Sequence, residues 1–351
     1  VRRTEFSAQI PLALNPWLMT PRTPTRRQFL LHTATLGTLG TLGTTVPTLH
    51  AQSLGARPLK VLVAYPPGGV SDAVARALAE ALAPRLGQPV VVENRAGAAG
   101  TLAVQVAAKA APDGQTLVFA ALSPLTLSPH LGQLPYDPLK DLVPVASVMY
   151  SPVLLAATPA WREGDFKALL ARARQQPGQL RWATSGNGSL GHLMLESIAA
   201  STGVQITHVP YKGGGQQITD GLSGQFEVLS VNSSGAVLQH VREGRLRVLA
   251  VGAPQRLEAL PQVPTLAELG LAGANLSSRF GLFAPAGTPA ALLEKINAQV
   301  NAVLALPAMR ERLHAAECVA APASLAEFGR SVASEHQAMG TLVRQARIQA
   351  D

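Results

Sequence analysis

The segment Leu59–Asp72, with the sequence LKVLVAYPPGGVSD, joins an apolar run of strand length to the start of a helical pattern. A run that is apolar at nearly every position is typical of a strand buried on both faces, as in a parallel sheet. The two glycines after it let a ligand approach the backbone, and the first N–H groups of the next helix attract anions. Ligands bind at this edge of open parallel sheets. The segment therefore predicts an α/β fold with a binding loop at residues 65–72.

A second interpretation of this loop stays open. Pro-Gly-Gly is also a common tight turn, and Ser71 and Asp72 are of residue types that cap a helix N-terminus. The loop is thus either a ligand-binding loop or only a turn with its caps.

Strands and helices continue to alternate along the chain, which predicts α/β layers with parallel strands. The strands are expected at Leu59–Tyr65, Val90–Val92, Leu117–Ala121, Leu180–Thr184, Ile206–Val209, Phe226–Val231 and Leu246–Val251. The helices are expected at Ser71–Leu86, Ala98–Ala110, Phe166–Gln175, Leu190–Ser201 and Gln216–Ser223. The strand set divides near residues 150 and 255. We therefore expect lobe one at 57–152 and 255–351, lobe two at 153–254, and two crossing strands as the hinge.

The N-terminal region predicts an export signal. Arg26 and Arg27 precede an apolar stretch that glycines and threonines interrupt, so it is shorter than the stretch a membrane span needs. The stretch ends in small residues before Gln52, as at a cleavage site. We predict a twin-arginine signal at residues 1–51 and a periplasmic location. An internal amphipathic segment is the alternative, and a start at Met19 would leave residues 1–18 untranslated.

Composition limits the possible partners. The 351 residues are 47% hydrophobic and 14% charged, with a formal net charge of +8. Residues 1–51 hold five arginines and one glutamate, so they carry four of these eight charges. The remaining Lys and Arg residues are scattered, whereas a nucleic-acid site needs them clustered with stacking aromatics. We therefore expect no nucleic-acid partner. The single cysteine, Cys318, excludes an intramolecular disulfide, and we assign it no function.

The second glycine-rich turn, Thr184–His192, also follows a predicted strand. Three of its glycines formally match a dinucleotide fingerprint, but the next strand ends without the acid that would hold a ribose. Asn187 stands where a nucleophile elbow needs its first glycine. What remains is a group of backbone N–H donors with Ser185, Asn187 and Ser189, which suits a carboxylate. His192 is either a ligand contact or a packed structural histidine.

The third turn, Pro210–Gly215, exposes backbone at three consecutive glycines and lacks the Gly-Lys-Ser/Thr of a P-loop. No histidines or acids stand at metal-ligand or acid–base spacing. We therefore expect no metal, no cofactor and no catalysis. An α/β enzyme would need a nucleophile or a metal that is not evident here. A transcription-factor effector domain would carry a helix-turn-helix instead of an export signal.

Nine motifs, in order from Arg57 to the C-terminus, resemble the Bug family (TctC-like), the solute receptors of tripartite tricarboxylate transporters. They are YPPGGVSD (65–72), VENRAG (92–97), PDG (112–114), LPYDPLKD (134–141), SGNGSLGH (185–192), VPYKG (209–213), GRLR (244–247), VPT (263–265) and APAGTP (284–289).

The resemblance implies a type II periplasmic-binding clamp with two lobes, each a mainly parallel sheet flanked by helices. It implies a monomeric receptor that holds a small organic acid between the lobes for a membrane transporter of the tripartite tricarboxylate type. A receptor that reports to a membrane sensor would look the same in sequence. The expected ligand-binding residues are Tyr65, Gly68, Gly69, Ser71, Asp72, Ser123, Ser185, Gly186, Asn187, Gly188, Ser189, His192, Gly213, Gly214 and Val231.

One position departs from many relatives. Val231 aligns with an acid of the family, although a shift of one residue is the alternative. Without that acid the site has no counter-charge for an ammonium group, and we expect Glu227 to face away or to lie too deep in its strand. The sequence therefore predicts a ligand that is an organic acid and not an amino acid.

Overall fold

The computed structural model describes residues 57–346, in which ten strands alternate with ten α-helices. The strands are β1 (Leu59–Val63), β2 (Val90–Asn94), β3 (Thr116–Ala121), β4 (Leu142–Ala157), β5 (Arg181–Thr184), β6 (Thr207–Pro210), β7 (Val228–Asn232), β8 (Arg247–Gly252), β9 (Ser277–Pro285) and β10 (Val319–Ala320). The helices are α1 (Val70–Leu86), α2 (Thr101–Ala108), α3 (Ser123–Thr126), α4 (Phe166–Gln175), α5 (Leu190–Thr202), α6 (Gly214–Leu222), α7 (Gly235–Arg242), α8 (Ala290–Leu304), α9 (Pro307–His314) and α10 (Leu325–Ala346).

The strands form two sheets that share β4. In the first sheet β2, β1 and β3 are parallel, and β9 runs antiparallel to both β3 and β4. In the second sheet β6, β5 and β7 are parallel, and β4 is antiparallel to β7 and β8. We call the part built on the first sheet lobe one and the part built on the second sheet lobe two. The predicted α/β class with parallel strands is confirmed, and antiparallel strands complete each sheet.

Strand β4 passes from one sheet to the other. Its pairing with β9 ends at Pro152, and its pairing with β7 and β8 begins at Val153. The return path differs from the predicted second crossing strand, because β8 ends at Gly252 and the chain reaches Ser277 through turns and a short 3-10 turn at Ala272–Ala274. The limits proposed for the two lobes stay a prediction.

Each lobe has its own apolar core. In lobe one, α1 and α8 cover one face of the first sheet, while Phe283 and Phe328 pack together on the face that α10 covers. In lobe two, Trp182 and Phe226 are fully buried. Burial of side chains of this size contributes about 1.5–3 kcal/mol each. These two cores hold the loops at the strand ends in place.

The long strands β4 and β9 and the helix α7 were not predicted. Pro144 and Pro152 interrupt β4, and a proline within an apolar run argues against a central strand. A register shift in the pairing with β9 lies next to Pro144, and Pro152 stands where the strand changes sheets. The predicted helix at 98–110 begins as a 3-10 turn, and α2 starts only at Thr101.

No helix within residues 57–346 is long and apolar enough to cross a membrane. The predicted export signal at residues 1–51 lies outside the described residues.

Candidate functional site

A cleft opens between the two lobes where the carboxyl ends of the strands meet helix N-termini. Strands β1, β5, β6 and β7 each lead through a short loop into α1, α5, α6 and α7. The cavity has a volume of about 60 Å³. Its walls are Tyr65, Pro66, Gly69, Val70, Ser71, Ala121, Ser123, Val153, Ser185, Ser189, Leu190, Gly191, Gly214, Gly215, Ile218, Ser230, Val231, Asn232, Ser234, Ser278 and Phe280.

The chemistry of the walls is neutral and rich in hydrogen-bond donors. Seven serines, Asn232 and Tyr65 supply the polar side chains, and no Asp, Glu, Lys, Arg or His among residues 57–346 lines the cavity. The first turns of α1, α5 and α6 and the N-cap residue of α7, Ser234, contribute to the wall. A helix N-terminus carries unpaired N–H groups and about half a positive charge, which favours an anion.

Ser189 combines a structural and a binding capacity. It is the N-cap of α5, and its Oγ accepts a hydrogen bond from the His192 backbone N–H at 3.2 Å. The residue is 4% exposed. Because its Oγ accepts this bond, the hydroxyl proton is still free to be donated into the cleft. Gly191 lets this first turn pack on β7, since a Cβ at Gly191 would lie 3.1 Å from Ser230 Cβ.

Asp72 holds the shape of the loop at 65–72 and does not line the cavity. Its carboxylate accepts the Gly68 N–H at 3.1 Å and the Asn94 amide at 3.0 Å, and it pairs with Arg76 at 2.9 Å. Burial acts to raise the pKa of Asp72, but the Arg76 guanidinium and the two hydrogen-bond donors lower it below its usual value. The side-chain cap that the sequence suggested is absent from α1, because Gly69 is the N-cap and makes no side-chain bond.

Tyr65 lies at the wall of lobe one. Its ring packs edge-on against Phe280 with 6.1 Å between the ring centres. Burial raises the pKa of Tyr65 to about 12, although hydrogen bonds to the Ala121 backbone and the Ser123 side chain offset part of the effect. The phenol therefore stays protonated at neutral pH.

Three of the predicted glycines, Gly186, Gly188 and Gly213, contact the opposite lobe and do not line the cavity. A Cβ at Gly186 would lie 3.3 Å from Ala99 N, and one at Gly188 would lie 3.1 Å from Ser128 Oγ. All three have positive φ values. They keep the loops of lobe two thin where they meet lobe one.

The family model for the tripartite tricarboxylate transporter family receptor, TctC, matches residues 74–347. The chain is 37% identical to the protein BugT of Bordetella pertussis over 297 residues. This alignment covers 84% of this chain and 91% of BugT. The chain belongs to the TctC family. The predicted resemblance to Bug-type receptors is thereby confirmed.

Solved structures of other proteins share this fold. The periplasmic binding protein BugD superposes with a TM-score of 0.79 at 28% identity, over 85% of this chain and 100% of BugD. An R. palustris protein solved with adipate superposes with a TM-score of 0.80 at 30% identity, over 85% of this chain and 100% of that protein. MatC from Rhodopseudomonas palustris, solved with bound malate, superposes with a TM-score of 0.77 at 31% identity, over 82% of this chain and 98% of MatC. The two-lobed periplasmic-binding fold is confirmed, and the family consists of solute receptors and not enzymes.

Eight of the fifteen predicted site residues of this TctC receptor line the cavity, and seven do not. The eight are Tyr65, Gly69, Ser71, Ser123, Ser185, Ser189, Gly214 and Val231. The seven are Gly68, Asp72, Gly186, Asn187, Gly188, His192 and Gly213. Gly68 and Asn187 are exposed, and a Cβ at Gly68 would meet no atom within 4 Å. Its positive φ of 85° lies in the left-handed region that favours glycine.

His192 takes the structural alternative that the sequence left open. It is buried and stacks on His208 with 4.3 Å between ring centres. Its Nδ1 accepts the Gly188 backbone N–H at 3.3 Å, and its Nε2 lies 3.6 Å from a Glu196 oxygen. The imidazole thus supports the glycine-rich turn from behind.

Val231 and Glu227 lie at opposite ends of β7. Val231 lines the cleft near the end of β7, whereas Glu227 lies just before the other end of the strand. There the Glu227 carboxylate pairs with Arg181, with an Oε1–Nη2 distance of 2.6 Å. Burial acts to raise the pKa of Glu227, but its hydrogen bonds with Arg181 lower it overall. The Glu227 carboxylate is therefore paired with Arg181 and does not line the cavity.

Several wall residues were not predicted from the sequence, notably Ser230, Asn232, Ser234, Ser278 and Phe280. Ser234 had a local signal, since a serine followed by glycine directly after a strand is a typical N-cap, and its Oγ indeed accepts the Val237 N–H. Ser278 and Phe280 had none, because they reach the cleft only through β9.

Among the described residues, no cluster of three or more His, Cys, Asp or Glu side chains could hold a metal ion.

Proposed function

We propose that this TctC receptor captures a small organic carboxylate between its lobes in the periplasm and delivers it to a membrane transporter of the tripartite tricarboxylate type. The observation that supports this most is the wall of the cleft, where hydroxyl groups and four helix N-termini face a cavity without an acidic side chain from residues 57–346. Charge-assisted hydrogen bonds to a carboxylate are about twice as strong as neutral ones. The adipate and malate of the relatives support the same class of ligand.

The ligand that we propose carries no ammonium group. An unpaired buried cation costs several kcal/mol. Val231 lines the wall at the position where the sequence predicts a counter-charge in relatives, and the Glu227 carboxylate is paired with Arg181. The polar atoms that remain in the wall belong to neutral hydroxyl, amide and backbone groups. An apolar portion of the acid would pack against Val231, Ile218 and Phe280.

We further propose that the receptor reaches the periplasm by the twin-arginine route. The Arg26-Arg27 pair followed by a mildly apolar stretch supports this route. The signal would be removed before Gln52.

Native mass spectrometry of the receptor purified from its host tests the proposal. We expect a bound mass that matches a mono- or dicarboxylate, and calorimetric titration of the stripped protein with that acid should reproduce binding. A folded receptor that retains no acid and binds none of succinate, malate and adipate would contradict it. Uptake of the labelled acid by cells with and without the receptor gene separates transport from sensing.

A further inference from the structure

Strand β9 places an arginine directly behind the cleft. Ser278 and Phe280 line the cleft, and Arg279 between them points to the face of the sheet that α10 covers. The Arg279 guanidinium stacks over the Tyr150 ring at 4.5 Å. Its Nε is buried and has no hydrogen-bond partner. Arg279 is therefore held in place by stacking, and one of its donors is still available.

A glutamate of α10 faces the same region. Glu335 accepts a hydrogen bond from Thr126 Oγ1 at 3.1 Å, and Thr126 belongs to the short helix α3 that begins at the wall residue Ser123. Burial raises the pKa of Glu335, and this effect exceeds the opposing influence of Thr126 and Arg279. The negative charge on Glu335 is thus disfavoured, while an arginine stays charged in proteins.

A small cavity of about 10 Å³ beside these groups shares wall residues with the cleft. Ser123 and Ser278, which line the cleft, also line this cavity, together with Arg279 and Glu335. The volume corresponds to roughly one water molecule. The positive charge of Arg279 therefore lies behind wall residues of the cleft.

We propose that Arg279 selects for anionic ligands by its positive charge behind the cleft, and that Glu335 offsets this charge only in part. The inference rests on the proposed function, since it concerns the same site. A unit charge acts over several ångströms in a partly desolvated region, and it favours a dianion more than a monoanion. Arg279 does not contact the ligand, so its role is distinct from that of the wall serines.

The test compares ligand charge at constant shape. Calorimetry would give the Kd values of adipate, succinate and malate, each beside its monoamide, for the wild type, Arg279→Gln, Arg279→Lys and Glu335→Gln. We expect Arg279→Gln to weaken dianion binding by about tenfold and monoamide binding by clearly less, so that their affinity ratio falls. Arg279→Lys keeps the ratio, and Glu335→Gln keeps or raises it.

The outcomes separate the two proposals. A wild type that binds none of the acids overturns the proposed function, and this inference with it. A wild type that binds, together with an unchanged ratio in Arg279→Gln, overturns only the role of Arg279. If Glu335→Gln lowers the ratio of dianion to monoamide affinity as much as Arg279→Gln does, the role of Arg279 is also overturned. The two residues would then only stabilise the local structure. If Arg279→Gln does not fold, Arg279→Met takes its place in the test, because its side chain can still pack on Tyr150.

Discussion

Gly213 of lobe two lies against Pro66 of lobe one, so close that a Cβ on Gly213 would be 2.8 Å from Pro66 Cγ. The proline ring is rigid and cannot move aside as a long side chain can. A second contact joins Gly188 to Ser128, and a small apolar cluster around Leu127 and Leu193 also spans the two lobes. At the Gly213 and Gly188 contacts the residue of lobe two has no side chain, so its backbone lies close to lobe one.

Replacing Gly213 with alanine should weaken ligand binding by at least about tenfold, because a Cβ at this site stops the lobes from closing. Gly97 is the matched control, since its φ of 141° equals the 140° of Gly213 within a degree. A Cβ there meets only the flexible Leu102 side chain at 3.4 Å. Both variants should lose about 1–3 kcal/mol of stability from backbone strain. Equal affinities of the two variants in calorimetry would show that closure does not need the Gly213 contact.

Replacing Ser189 with alanine should weaken carboxylate binding by about ten- to a hundredfold, through the loss of a charge-assisted hydrogen bond worth roughly 1.5–3 kcal/mol. The variant also loses its N-cap, which costs about 0.5–2 kcal/mol of stability. Asp165→Ala removes an N-cap of similar geometry from α4, away from the cleft. The two variants should melt at similarly lowered temperatures while only Ser189→Ala binds weakly. Unchanged affinity in Ser189→Ala would place the carboxylate elsewhere.

Introducing a charge at position 231 should show what the cleft selects. Val231→Asp is expected to weaken binding of the native acid by about tenfold or more, since like charges would lie together in a confined site. Val231→Asn has the same shape as Val231→Asp without the charge and should lose much less affinity.

In thermal-shift screens the wild type should be stabilised more by succinate than by aspartate. A larger shift with aspartate would contradict the proposal of a ligand without an ammonium group.

The Asp72 network should make stability depend on acid pH. The folded-state pKa of Asp72 is lowered, so its contribution is fully present above the unfolded value of about 3.9 and disappears as the pH falls through the folded value. Asp72→Asn should therefore lower the free energy of unfolding by about 1 kcal/mol at pH 7, with a smaller difference at pH 3. Urea unfolding at both pH values measures this. A difference that is as large at pH 3 would mean that the charge is not its source.

Exchanging both Arg26 and Arg27 for lysine should leave the protein in the cytoplasm, because twin-arginine recognition is more than a count of positive charges. Fractionation of cells and immunoblotting measure the periplasmic share. Equal periplasmic yields of the variant and the wild type would contradict the route. A mature N-terminus away from Gln52 would change only the cleavage site.

Local patterns predicted the parts of the fold that depend on local physics. The helix at Phe166–Gln175 has the predicted limits, since Asp165 caps it and its apolar positions repeat at helical spacing. The strand from Leu59 and the glycine-rich turns after β1, β5 and β6 were found for the same reason, because glycine and proline mark turns wherever they stand. Strand β4 was not predicted because its prolines argue against a strand in the local pattern. Pairing with β7 and β9 stabilises the strand in the folded protein.

By itself the sequence determined the α/β class, the family and the three loops that face the cleft, since strand length, turn chemistry and helix caps are encoded within a few neighbouring residues. Only the tertiary structure decided what each loop residue does. It placed Ser189 at the cavity, Gly213 at the contact between lobes and His192 behind the turn, although all three belong to predicted site loops. It also brought Ser278 and Arg279 to the cleft region through β9. The direction of a side chain depends on how distant strands pair, and no local pattern records that register.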